Sequence, residues 1–140
     1  MKTKILVVDD QPGTRRLLRN LLEREGFSVV EAEDEPSAWQ VMHEEPEGVS
    51  LALIDVDLPG LGGRFVADHI QMIHPLRVLF MSGHDPAALR ADGHVPADAP
   101  LLCKPFTLSE VRGAVTKELG PGGLPAAAPD REPVELLLHA

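Results

Sequence analysis

The chain has 140 residues, which is enough for one domain with a sizeable core and a short extension. Its formal net charge of -9 argues against a nucleic-acid-binding surface and against contact with anionic membranes. The single cysteine, Cys103, cannot form an intramolecular disulfide, which fits the reducing cytoplasm, and no apolar stretch is long enough for membrane insertion. Cys103 is interpreted as a small buried hydrophobic residue.

Five segments rich in apolar or β-branched residues predict strands. Uninterrupted apolar runs of this length are typical of strands that are buried on both faces of a parallel sheet. In chain order the predicted strands are Ile5–Val8, Phe27–Ala32, Leu51–Ile54, Val78–Met81 and Leu101–Cys103.

A helical pattern follows each predicted strand. The first helix begins at Pro12 and stops at Gly26, and its arginines, including Arg15 and Arg19, are expected largely on the solvent side. Asp34 is the predicted N-cap of the second helix, in which Trp39 is expected to be a core residue. The remaining helices are predicted over 64–73, over 86–92, and from the capping box of Thr107 and Glu110 to about residue 118.

This alternation predicts an α/β fold, a doubly wound five-stranded parallel sheet of the flavodoxin-like (βα)5 type with strand order 2-1-3-4-5. Strands 1 and 3 then flank the topological switch point, where ligands bind at the carboxyl ends of strands. Residues 1–120 form the predicted domain. Residues 121–140 are rich in Gly, Pro and Ala and are expected to be a flexible tail, with a docking peptide as the alternative.

Polar residues follow four of the predicted strands, and they should converge at one edge of the sheet. They are Asp9 and Asp10, Asp55, Ser82 and Lys104. Three carboxylates together repel one another unless a hard divalent cation such as Mg²⁺ offsets their charge. A lysine and a hydroxyl beside that cation suit a phosphoryl group, and a carboxylate can be its acceptor. The sequence therefore predicts an aspartate that is phosphorylated in the presence of Mg²⁺.

These residues resemble the response-regulator receiver domain of two-component signalling over residues 3–119. The resemblance rests on the acidic pair, on Asp55 with Pro59 and Gly63 in the loop that follows it, on Ser82, and on the run Lys104-Pro105-Phe106. It implies a phosphoprotein of a cytoplasmic phosphorelay. Such a domain takes part in its own phosphorylation and dephosphorylation and is not otherwise an enzyme.

The resemblance also implies a role for each site residue. Asp55 is the phosphoacceptor, and Ser82 and Lys104 hold the phosphoryl oxygens. Mg²⁺, for which Mn²⁺ can substitute, is bound by Asp10 and Asp55 through their side chains, by Asp9 through water and by the backbone carbonyl of Asp57.

The implied phosphodonor is a phosphohistidine on a sensor histidine kinase or a histidine phosphotransfer protein, and the downstream protein partner is unknown. No direct nucleic-acid binding is expected, and the chain is expected to be a monomer or a weak homodimer.

Two positions depart from the family pattern. Many receivers carry an aromatic residue where this chain has Leu101, and an acidic residue where it has Gly62. The run 80–83 and the short fourth helix resemble receivers of hybrid kinases or stand-alone regulators.

Other interpretations remain open at this point. Asp55-Val56-Asp57 also resembles the nucleophile motif of haloacid-dehalogenase-type phosphatases. A third possibility is an adaptor that works by protein contact without phosphate. His84 is expected to be an exposed loop residue, with a place at the edge of the site as the alternative.

Overall fold

The structure is a computed structural model that describes residues 2–45 and 48–120. The predicted tail, residues 121–140, lies outside the described residues. None of the described helices combines the length and the apolar character needed to cross a bilayer.

The five strands form one sheet in the order β2-β1-β3-β4-β5, and every neighbouring pair is parallel. This confirms the predicted doubly wound, flavodoxin-like fold. The bounds are Lys4–Val8 for β1, Ser28–Ala32 for β2, Val49–Asp55 for β3, Arg77–Ser82 for β4 and Leu101–Cys103 for β5.

Two of the helices begin after a side chain that accepts a hydrogen bond from a backbone amide of the first turn. Asp34 accepts a hydrogen bond from the Ser37 amide, and Thr107 accepts one from the Glu110 amide, so both predicted N-caps are confirmed. The bounds are Pro12–Arg24 for α1, Glu35–Glu44 for α2, Gly62–Ile73 for α3, Pro86–Ala91 for α4 and Leu108–Leu119 for α5.

Each face of the sheet is covered by an apolar cluster, which explains why the runs 5–8, 51–54 and 78–81 of the central strands have no polar break. Leu6 and Ile54 belong to the cluster that includes residues of α2 and α3, whereas Val7 and Leu53 belong to the one with α1 and α5. Alternate residues of a strand point to opposite faces, so both faces must be apolar.

Three sequence predictions about individual side chains are wrong. Trp39 is 37 % exposed and lies against the rings of His43 and His69, so it is not a core residue. Cys103 is exposed, because it is the last residue of a three-residue strand at the edge of the sheet that the described residues form. The Arg15 side chain contacts Glu31 and the Asp9 carbonyl and is only 15 % exposed.

Candidate functional site

An acidic cluster lies at the carboxyl ends of the two central strands. Asp9 and Asp10 follow β1, and Asp55 ends the neighbouring strand β3. One carboxylate oxygen from each of these residues lies within 4.8 Å of the other two. Asp9 and Asp55 are buried and Asp10 is exposed, so the cluster opens to solvent on one side.

Lys104 joins the two buried carboxylates. Its Nζ lies 2.9 Å from Asp9 Oδ2 and 3.4 Å from Asp55 Oδ2. Burial lowers the pKa of Lys104, but its hydrogen bond to Asp9 and the charges of both carboxylates outweigh burial and raise the pKa above its usual value. Lys104 therefore remains a cation at neutral pH. Its peptide N–H donates to the Ser82 carbonyl at 2.8 Å, which holds the end of β5 beside β4.

The Asp55 carboxylate is 6 % exposed at the side chain. Burial raises its pKa, and the charge of Asp9 raises it further. The Asp57 peptide N–H, which donates to Asp55 Oδ1 at 3.0 Å, and Lys104 oppose this shift without cancelling it. Without a further cation, the ionised form of Asp55 is thus less favourable here than in water.

Gly63 allows the first turn of α3 to lie directly against the backbone of Asp55. A Cβ atom at position 63 would lie 2.2 Å from the Asp55 carbonyl oxygen, and the Gly63 N–H donates to the Val56 carbonyl at 3.0 Å. Gly62, which precedes it, has a φ of +86°, a conformation that L-residues rarely adopt. These two glycines determine how the start of α3 lies against the end of β3.

Ser82 and the side chain of Asp57 lie next to the cluster. Ser82 is fully buried, and its Oγ lies 3.5 Å from Asp57 Oδ2. His84 is 66 % exposed at the side chain, yet its Nε2 lies 3.3 Å from Asp57 Oδ2 and its peptide N–H donates to Ser82 Oγ at 3.0 Å. The histidine is therefore both an exposed loop residue and an edge of the site.

The structure thus brings together Asp9, Asp10, Asp55 and Lys104, with Ser82 and Asp57 next to them. Sequence reasoning missed the contact between the Asp57 and His84 side chains, although His84 follows a strand end by two residues. It also missed Arg15, which donates from Nη1 to the Asp9 carbonyl at 2.6 Å. No sequence signal distinguished Arg15 from the other arginines of α1.

The donor set fits a hard divalent cation. Three carboxylates present oxygen ligands within one small volume, and Lys104 is the one cation among the described residues that forms ion pairs with them. Mg²⁺ prefers a few carboxylate oxygens and keeps its other positions for water and phosphate oxygens. The solvent-facing side of the cluster, at Asp10, leaves room for such ligands.

The fold and this cluster define a signalling domain of the response-regulator type. Residues 5–116 match the family model of the response regulator receiver domain. The chain therefore belongs to this family, the receiver domains of two-component signalling.

Two curated relatives match nearly along their whole length. The response regulator receiver protein CpdR of Brucella abortus is 34 % identical over 117 residues, which cover 83 % of this chain and 96 % of CpdR. Sporulation initiation phosphotransferase F of Bacillus subtilis is 30 % identical over 120 residues, which cover 85 % of this chain and 95 % of that protein.

A solved structure, the response regulator TrrA of Thermotoga maritima in complex with Mg²⁺–BeF, is 29 % identical to the chain. It superposes with a TM-score of 0.72 over 85 % of this chain and all of TrrA.

Proposed function

We propose that the chain accepts a phosphoryl group on Asp55 from a kinase phosphohistidine, in a Mg²⁺-dependent step of a cytoplasmic phosphorelay. The observation that carries this proposal is the bridge from Lys104 to two buried carboxylates, with a third carboxylate within 4.8 Å. A purely structural ion pair would not need three acids around one lysine. The complex of TrrA with Mg²⁺–BeF supports the same chemistry in a relative.

In the proposed step, an Asp55 carboxylate oxygen attacks phosphorus and forms an acyl phosphate. The bond between phosphorus and the donor imidazole nitrogen breaks, and its electron pair stays on that nitrogen. Lys104 donates a hydrogen bond to a phosphoryl oxygen. To do so, its Nζ must weaken the hydrogen bond that it donates to Asp9 Oδ2. The Ser82 hydroxyl is a second donor, since it lies beside the same cleft.

The cation would be held by the side chains of Asp10 and Asp55, by Asp9 through water, and by the backbone carbonyl of Asp57. When bound, it offsets the negative charges of the carboxylates and of the incoming phosphoryl group. This requirement agrees with the raised pKa of Asp55, because burial and the neighbouring Asp9 disfavour its charged form.

The proposed output differs from that of receivers with an aromatic residue at position 101. Leu101 is half-buried against the cluster that contains Phe80, and it has neither a ring nor a hydroxyl with which to exchange positions. We propose that the signal leaves through the loops of 82–100, or that the phosphoryl group is mainly passed onward. Arg64 of α3 contacts this segment by donating to the Gly93 carbonyl, and within the segment Arg90 donates to the Ala97 carbonyl.

The test is labelling with a small-molecule phosphodonor, acetyl phosphate, read by intact mass. Wild type should gain one phosphoryl group in Mg²⁺ and none in chelator, and Asp55→Asn should gain none. Asp68→Asn, which alters an exposed aspartate of α3, is the matched control and should label as wild type does.

Equal labelling of Asp55→Asn and wild type would contradict the phosphoacceptor assignment. Continuous turnover of the donor without a stable label would favour the phosphatase interpretation, and no label under any condition would favour the adaptor.

A further inference from the structure

Arg15 is the one α1 arginine that contacts the backbone of the acidic cluster. Its Nη1 donates to the Asp9 carbonyl oxygen at 2.6 Å, and its Nε donates to Glu31 Oε1 at 3.2 Å. Arg19 binds the other oxygen of the same glutamate. The guanidinium of Arg15 thus connects the turn after β1 to a charged side chain on β2.

Asp9 is restrained at every polar atom. Its N–H donates to the Ala32 carbonyl at 3.1 Å, Oδ1 accepts from the Gln11 N–H at 2.9 Å, and Oδ2 accepts from Lys104. The carbonyl oxygen accepts from Arg15. Of these partners, Arg15 is the only side chain that lies outside the proposed reaction machinery.

Asp10 has no such restraints. Within 2–45 and 48–120, its carboxylate makes no hydrogen bond or ion pair and is exposed. The placement of the Asp10 backbone, from which this side chain starts, depends on the peptide unit that joins it to Asp9. The carbonyl of that peptide unit is the atom that Arg15 holds.

We infer that Arg15 is a positioning residue for the cation site: by holding the Asp9 carbonyl against Glu31, it aims the Asp10 carboxylate at the cluster. The inference rests on the proposed function, because it concerns binding of Mg²⁺ by the same three aspartates. Residues that orient metal ligands through hydrogen bonds are worth roughly 10- to 100-fold in metal affinity.

Charge and positioning predict opposite results when Arg15 is removed. The positive charge of the Arg15 guanidinium repels Mg²⁺. If Arg15 acted through its charge alone, its removal would make Mg²⁺ binding tighter. Loss of positioning makes binding weaker instead. Arg19→Met is the matched control, because Arg19 pairs with the same Glu31 and has the same charge but contacts no atom of Asp9.

The experiment measures Mg²⁺ binding to the full 140-residue chain by calorimetry, for wild type, Arg15→Met, Arg15→Lys and Arg19→Met. Arg15→Met should raise the Mg²⁺ Kd about tenfold, and Arg19→Met should leave it within twofold. Arg15→Lys should fall between them, because one ammonium lacks the fork that reaches both partners. In acetyl phosphate labelling, the half-saturating Mg²⁺ concentration should rise with the Kd while the rate at saturating Mg²⁺ stays within twofold.

Three results would overturn the inference: unchanged or tighter Mg²⁺ binding by Arg15→Met, equal weakening by Arg19→Met, or a lower saturating rate with unchanged half-saturation. If Arg15→Met melts well below wild type, its Mg²⁺ Kd is not interpreted and Arg15→Lys is used instead. The inference then requires that the Mg²⁺ Kd of Arg15→Lys exceed that of wild type. If wild type itself does not bind Mg²⁺ or is not labelled at Asp55, the proposed function is refuted instead. This result is obtained from wild type alone, before any variant is compared.

Discussion

Replacing Gly63 with alanine tests the close contact between α3 and the proposed phosphoacceptor. The added Cβ would lie 2.2 Å from the Asp55 carbonyl oxygen and 3.0 Å from Val56 Cα, whereas ordinary contact begins at 3.4 Å. The carbonyl and the helix must therefore separate by about 1.2 Å, the difference between 3.4 and 2.2 Å. Both groups are backbone, so no side-chain rotation can relieve the overlap.

Overpacking of this kind costs about 1–3 kcal/mol, and the backbone clash places Gly63→Ala near the upper end. For a domain of this size, such a loss lowers Tm by roughly 10 °C. The displaced carbonyl belongs to Asp55, so we expect the rate of labelling by acetyl phosphate to fall even at temperatures where the variant is fully folded. Thermal unfolding and intact mass measure the two effects separately.

Gly113→Ala is the matched control, because a Cβ at this position in α5 meets nothing within 4 Å. Alanine is a better helix former than glycine, so this variant should be more stable by about 0.5–1 kcal/mol and should label normally. If Gly63→Ala has the melting temperature and the labelling rate of wild type, the close approach between α3 and the Asp55 carbonyl does not exist in solution.

Four further predictions follow from the site and from the chain ends. Because the pKa of Asp55 is raised by burial and by Asp9, its charge destabilises the folded state, and stability is lost as pH rises through the folded-state pKa. Metal-free Asp55→Asn should accordingly melt above wild type at pH 7, and the gap should close as pH falls through that pKa; a lower melting temperature at pH 7 would contradict the pKa shift. Mg²⁺ at ten times its Kd should raise the free energy of unfolding of wild type by about 1.4 kcal/mol. Asp10→Ala should lose most of that increase in the same melts, and an equal increase would remove Asp10 from the site. A chain that ends at Gly120 should melt and label within error of the full chain, whereas a large loss would mean that the tail docks. Amide exchange with and without beryllofluoride should change mainly over 82–100, and a concerted change that includes Leu101 and α5 would show that the leucine switches.

The sequence by itself determined the order of elements and the strand ends. Strands buried on both faces must be apolar throughout, so their ends are visible where the first charged residue appears, as at Asp9 and Asp55. Capping residues such as Thr107 act on their own first turn, so they too can be recognised without tertiary information. Parallel pairing then requires the carboxyl ends of the strands to meet at one edge of the sheet. The proximity of the acidic residues and Lys104 could therefore be predicted before the structure was known.

Only the tertiary structure decided which side chains outside those ends take part. Arg15 and Arg19 lie four residues apart on α1, and their different contacts depend on how this helix packs against Glu31 and the Asp9 carbonyl. The exposure of Trp39 depends likewise on how α2 packs against α3, where its ring lies 5.3 Å from that of His69. Helical periodicity fixes which residues share a face, but the rotation and tilt of that face relative to its neighbours come from packing between distant segments, which no local pattern encodes.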